Sequence, residues 1–155
     1  MGRLAFSNAG HLPPLWYHAA QRAWGWLEEG TEAKKVSGLP VGLIPGTEYS
    51  QTVVTLDPSD LLVLYTDGIT EAGNETGQEL GREQLLEWAR QAPVDSPRAL
   101  GEELLQRLES FRGKVRNDDE TLLVLQREKE SRLFMLGEVA NSYTFGRLLR
   151  NLKKE

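Results

Sequence analysis

Leu61-Leu62-Val63-Leu64-Tyr65-Thr66-Asp67-Gly68-Ile69-Thr70-Glu71-Ala72 is an apolar run that stops on an Asp-Gly pair and then turns polar. The run is short, β-branched at Val63 and bounded by turn formers, so it reads as a strand rather than a helix. A buried strand that delivers one carboxylate at its C-terminal lip can build a metal or phosphate site. Asp-Gly turns also end many ordinary strands, and that is the commoner meaning of the pattern. A second apolar run, Leu122-Leu123-Val124-Leu125, is preceded by Asp118-Asp119. Two core strands each with a carboxylate at one end suit a hard divalent cation.

The rest of the chain fills in around these two strands. Leu4 to His11 reads as a strand running into a glycine turn, and Pro13-Pro14 bends the chain into a second strand, Leu15 to His18. Ala19 to Arg22 turns it back through Trp24 and Trp26, which share one face of a third strand and serve packing. Residues 28–50 read as an ordered loop whose apolar residues are sheltered, with five glycines or prolines between Gly38 and Gly46. Gln51 to Leu56 alternates as a strand, and Asp57-Pro58-Ser59-Asp60 turns into the Leu61 strand.

Two helices are expected. One runs from about Arg82 to Gln91 with Leu85, Leu86, Trp88 and Ala89 inward. The other starts at the Ser96 cap and Pro97, and Gly113 ends it. Its residues Leu100, Leu104, Leu105, Leu108 and Phe111 keep a helical stripe. Thr121 to Gln126 closes the sheet. Beyond it, Phe145, Leu148, Leu149 and Leu152 fall on one side of a basic amphipathic helix. This could be a docking helix, a membrane-surface helix or a brace, and its four basic residues favour brace or partner contact over membrane.

Composition narrows the chemistry. The 155 residues suit one domain with a hydrophobic core, and the absence of cysteine excludes disulfides, thiolate zinc sites and cysteine nucleophiles. No apolar run approaches the ~20 residues of a membrane span and no export signal opens the chain, so a soluble, cytoplasmic protein is expected. The net charge of −5 is uneven. Residues 1–125 hold 11 Lys/Arg against 19 Asp/Glu, and residues 126–155 hold 7 against 4. An acidic body argues against nucleic acid as the partner.

Asp67 and Asp118 are the candidate metal ligands. Two close Mg²⁺ or Mn²⁺ ions would activate a shared water and clamp a phosphoryl group. Asp119 follows Asp118, and strand alternation points it away from the same ion, leaving it a solvated turn residue or a near-site one. Glu71 and Glu75 should face solvent. His11, in its Gly-Pro turn, reads as a hydrogen-bonding residue, with catalysis or metal ligation the less common alternative. Ser7 lacks an orienting acid and is a poor nucleophile. The glycines of 38–46 match no nucleotide-binding spacing.

Four segments in this order resemble the SpoIIE/RsbU-type branch of the metal-dependent PPM (PP2C-like) protein phosphatases. They are Ser7-Asn8-Ala9-Gly10-His11-Leu12-Pro13-Pro14, Gly38-Leu39-Pro40-Val41-Gly42-Leu43, Leu64 to Ala72, and Asp118-Asp119-Glu120-Thr121-Leu122-Leu123-Val124-Leu125. The resemblance implies an α+β fold, the C-terminal part of an α-β-β-α sandwich of mainly antiparallel sheets flanked by helices. It implies hydrolysis of phosphoserine or phosphothreonine on a regulatory, anti-anti-sigma-like protein by a water activated by two Mn²⁺ or Mg²⁺ ions. By motif position it makes Asp67 and Asp118 metal ligands, with Gly68, Asp119, His11, Asn8 and Gly10 near the site.

The family carries its bridging Asp, in an Asp-Phe-Tyr-Asp-like motif, well before the Asn-Ala-Gly-His segment. Here Met1 stands only a few residues upstream of that segment. Residues 1–126 are therefore expected to be the C-terminal part of the phosphatase domain and 127–155 a charged segment with an amphipathic helix. No catalytic residue proper is assigned, and the chain alone is expected to be inactive. The alternative is a non-catalytic phosphoprotein-binding remnant. An upstream sensor domain and oligomers formed through uncovered sheet edges are further expectations.

Overall fold

The computed structural model describes residues 2–27, 39–112 and 119–128. Their order is β1 (Gly2–Phe6), β2 (Leu15–His18), β3 (Ala23–Trp26), β4 (Thr52–Leu56), β5 (Leu61–Tyr65), α1 (Asp67–Thr70), α2 (Gly81–Gln91), α3 (Pro97–Phe111) and β6 (Leu122–Gln126). They form the mainly antiparallel, helix-flanked α+β arrangement that the sequence implies. β1 and β4 pair as a two-stranded sheet, and the other strands form a sheet in the order β3-β2-β5-β6. Every pairing is antiparallel.

β5 is the central element because it is apolar on both faces. Leu61, Leu62, Val63 and Tyr65 are all buried. Leu61, Val63 and Tyr65 alternate onto the face that joins Leu15, Ile69, Leu85, Leu100, Leu104 and Val124 in the main core. α3 lies along β6, and α2 packs against α3 and β3. The Ser96 hydroxyl accepts from the Ala99 amide at 3.1 Å, so the predicted cap starts α3 as read. Leu85, Leu86 and Ala89 of α2 are buried, with Trp88 at the edge against Phe111.

The tryptophans pack. Trp24 meets Tyr17 with ring centroids 5.2 Å apart, and the Arg82 guanidinium lies 4.4 Å over Trp26.

Two local expectations are corrected. Asp67 does not stand in an Asp-Gly turn but opens the short helix α1. The apolar residues after Pro40 are not sheltered: Val41 is 77% exposed, Leu43 62% and Ile44 53%. Successive turns explain this, since Leu43 N bonds to Pro40 O and Thr47 N to Ile44 O, with Gly42 and Gly46 at positive φ. Tight turns hold these side chains outward. Gly38, Gly113 and the amphipathic segment of residues 145–152 lie outside the described residues.

Candidate active site at the tip of β5

Three consecutive residues at the end of β5 reach three parts of the chain. Tyr65, 2% exposed, donates its hydroxyl to the Pro13 carbonyl at 3.1 Å and so holds the turn that carries His11. Thr66 reaches the head of β6: its hydroxyl donates to the Asp119 carbonyl at 2.8 Å and accepts from the Thr121 amide at 2.9 Å. Asp67 then presents an exposed carboxylate.

Asp67 is the first residue of α1, and its Oδ1 accepts from the Gly68 amide at 3.1 Å. Its carbonyl accepts from the Thr70 hydroxyl at 3.1 Å and the Glu71 amide at 2.8 Å. Gly68, Ile69 and Thr70 are buried behind it, so the carboxylate projects from a packed base. Glu71 and Glu75 are exposed, as expected.

The His11 turn is built by Asn8. Asn8 Oδ1 accepts from the His11 amide and Asn8 Nδ2 donates to the His11 carbonyl, each at 2.8 Å. Gly10 sits at φ +84° with a Pro40 atom 3.0 Å from where a Cβ would stand, so only glycine fits. The His11 ring is exposed, with Nδ1 3.1 Å from the Leu12 carbonyl.

Asp118 lies outside the described residues, and Asp119 is exposed beside Thr66. Arg112, just after α3, and Glu120, just before β6, are bonded to each other. Arg112, its side chain 6% exposed, pairs with Glu109 and reaches Glu120 Oε2 at 2.5 Å. Burial opposes its charge, yet the hydrogen bonds to Glu120 and Glu109 hold the guanidinium above its ordinary pKa.

Among the described residues no three His, Asp or Glu side chains gather into a metal cluster. The exposed Asp67 carboxylate, whose side chain accepts one amide within the chain, is a hard oxygen donor of the kind Mn²⁺ or Mg²⁺ takes.

Burial pushes the Tyr65 hydroxyl up to about 12 against the opposing pull of Arg82. The folded state thus keeps a proton that the unfolded chain loses near pH 10. Stability from this group is complete below pH 10 and falls between pH 10 and 12. Tyr65→Phe should lower the unfolding free energy at pH 7 by about 1 kcal/mol and flatten that alkaline decline. Urea titrations at pH 8 and pH 11 measure both effects.

Sequence reasoning missed the roles of Tyr65 and Thr66. The available signal was position alone, immediately before Asp67.

The family described as Stage II sporulation protein E (SpoIIE) matches residues 1–128. The chain is 28% identical over 130 residues to Protein IcfG of Synechocystis sp., covering 81% of this chain and 19% of that protein. It is 27% identical over 126 residues to the phosphoserine phosphatase RsbU of Bacillus subtilis, covering 81% and 35% respectively. The chain thus spans about a fifth and a third of these relatives. The phosphatase domain of SpoIIE from Bacillus subtilis superposes with a TM-score of 0.62 at 18% identity, over 89% of this chain and 56% of that one. With an aspartate at the tip of β5 and the head of β6 tied beside it, the chain belongs to the SpoIIE family of PPM-type phosphatase domains.

Proposed function

We propose that this chain supplies part of a metal-dependent protein serine/threonine phosphatase site. Asp67 and Asp118 are the proposed ligands in a pair of Mn²⁺ or Mg²⁺ ions, and residues 1–126 are the proposed phosphatase unit. Bound ions would activate water for attack on the phosphoserine phosphorus and stabilise the charge on the transferring phosphoryl group. The observation that carries the reading is Asp67 itself: an exposed carboxylate on a buried base, joined through Thr66 to the segment beginning at Asp119. Gly68 donates its amide to that carboxylate, and the turn that Asn8 ties across Gly10 to His11 is the proposed near-site turn. The proposed partner is a phosphorylated, anti-anti-sigma-like regulator in the cytoplasm. Among the described residues no helix is long and apolar enough to cross a membrane.

The test uses the chain together with whatever its reading frame encodes upstream of Met1. Release of phosphate from a phosphoserine protein that requires Mn²⁺ and stops with EDTA is the expected result. Tight binding of the phosphoprotein without hydrolysis at any Mn²⁺ concentration would replace the enzyme by the phosphoprotein-binding remnant.

A further inference from the structure

Thr66 occupies the N-cap position of α1 with extended backbone, φ −86° and ψ 161°, yet its side chain makes no capping bond. A threonine there ordinarily accepts from an amide of the first helical turn. Here the Gly68 amide is taken by Asp67 Oδ1 and the Ile69 amide by the Thr66 carbonyl. The hydroxyl is left to act across the sheet.

It donates to the Asp119 carbonyl and accepts from the Thr121 amide, while the Thr66 amide donates to the Thr121 carbonyl at 3.1 Å. These bonds lie one residue beyond Tyr65–Leu122, the last pair of the β5–β6 ladder. A hydroxyl can donate and accept at once, which no aliphatic side chain of its shape can do.

We propose that Thr66 is a positioning residue of the site: its hydroxyl holds the chain at Asp119 at a set distance from the Asp67 carboxylate. The proposal rests on the phosphatase reading, because it gives that distance its purpose. Groups that orient metal ligands from behind commonly change metal affinity by about 10–100-fold.

Thr66→Val removes both hydrogen bonds at nearly constant shape, and Thr66→Ser keeps them. The experiment follows amide resonances of the full chain during titration with Mn²⁺ alone, together with hydrogen exchange at Thr121. Thr66→Val should speed Thr121 exchange and raise the Mn²⁺ needed to broaden the Gly68 amide by about tenfold. Thr66→Ser should stay within about twofold of the unsubstituted chain. Unchanged Thr121 exchange in Thr66→Val would overturn the proposal. So would faster exchange with an unaltered Mn²⁺ titration, since the hydroxyl would then serve stability only.

If Mn²⁺ broadens no amide of the unsubstituted chain, this part of the site holds no ion by itself, and the metal reading of Asp67 is decided by the kinetics of Asp67→Asn. Positioning is then decided by the Asp67 and Gly68 amide shifts. Thr66→Val moves these and Thr66→Ser leaves them if Thr66 sets the geometry; equal shifts in both variants would overturn it.

Discussion

On the proposed phosphatase reading, Asp67→Asn is expected to lower kcat/KM for Mn²⁺-dependent phosphoserine hydrolysis by on the order of 10²–10³, with the fold intact. The substitution is chosen because asparagine keeps an oxygen where Asp67 Oδ1 accepts from the Gly68 amide. The start of α1 therefore survives, and what is lost is one negative charge at an exposed position. Surface changes of this kind usually alter stability by within about 0.5 kcal/mol. Loss of a metal's anionic ligand removes several kcal/mol of transition-state charge stabilisation, and each ~1.4 kcal/mol is tenfold in rate. The measurement is steady-state kinetics across a Mn²⁺ series, paired with a urea titration. Partial recovery of rate at high Mn²⁺ would accompany a ligand role. Full activity in Asp67→Asn at ordinary Mn²⁺ would remove Asp67 from the site.

The same strand shows why some of the fold was legible and some was not. β5 and β6 could be read because their apolar runs are bounded by turn formers, and α3 because Ser96-Pro97 marks its start. These are local signals: a period, a cap, a breaker. α1 is four residues long, too short to leave a period, so in the sequence Asp67-Gly68 looks like a turn. The exposed Val41-Gly42-Leu43-Ile44 segment looks sheltered in the sequence because composition records polarity and not where a tight turn aims its side chains.

The candidate site divides in the same way. Asp67 could be singled out because a carboxylate after a buried run is a one-dimensional pattern. Thr66 could not, because its partners at Asp119 and Thr121 lie more than fifty residues along the chain. Its N-cap position even pointed to a different use of the hydroxyl. Asp118 and the segment of residues 145–152 lie outside the described residues, so those readings stand as expectations.

Asp60 is the most consequential residue that the sequence hid, and Asp60→Ala is expected to lower the unfolding free energy by about 3 kcal/mol. Within Asp57-Pro58-Ser59-Asp60 it reads as one more turn former. In the fold it is 3% exposed and its carboxylate accepts three hydrogen bonds. Oδ2 takes the Trp16 indole at 3.0 Å and the Asp57 amide at 2.9 Å, while Oδ1 takes the Ala19 amide at 2.8 Å. One side chain thus joins β2, the turn into β3 and the turn between β4 and β5. Alanine leaves three donors without their acceptor at about 1 kcal/mol or more each. For a chain of this length that corresponds to a fall in Tm of roughly 6–12 °C. Asparagine separates hydrogen bonding from packing. Its single acceptor oxygen can serve the Oδ2 pair or the Ala19 amide but not both, while its NH₂ faces a donor. Asp60→Asn should therefore cost about 1–2 kcal/mol, between the parent and alanine. Urea unfolding of the two variants tests the ranking. A cost near zero for alanine would mean that water replaces the carboxylate, and that register between β2 and β5 is held by the ladder alone.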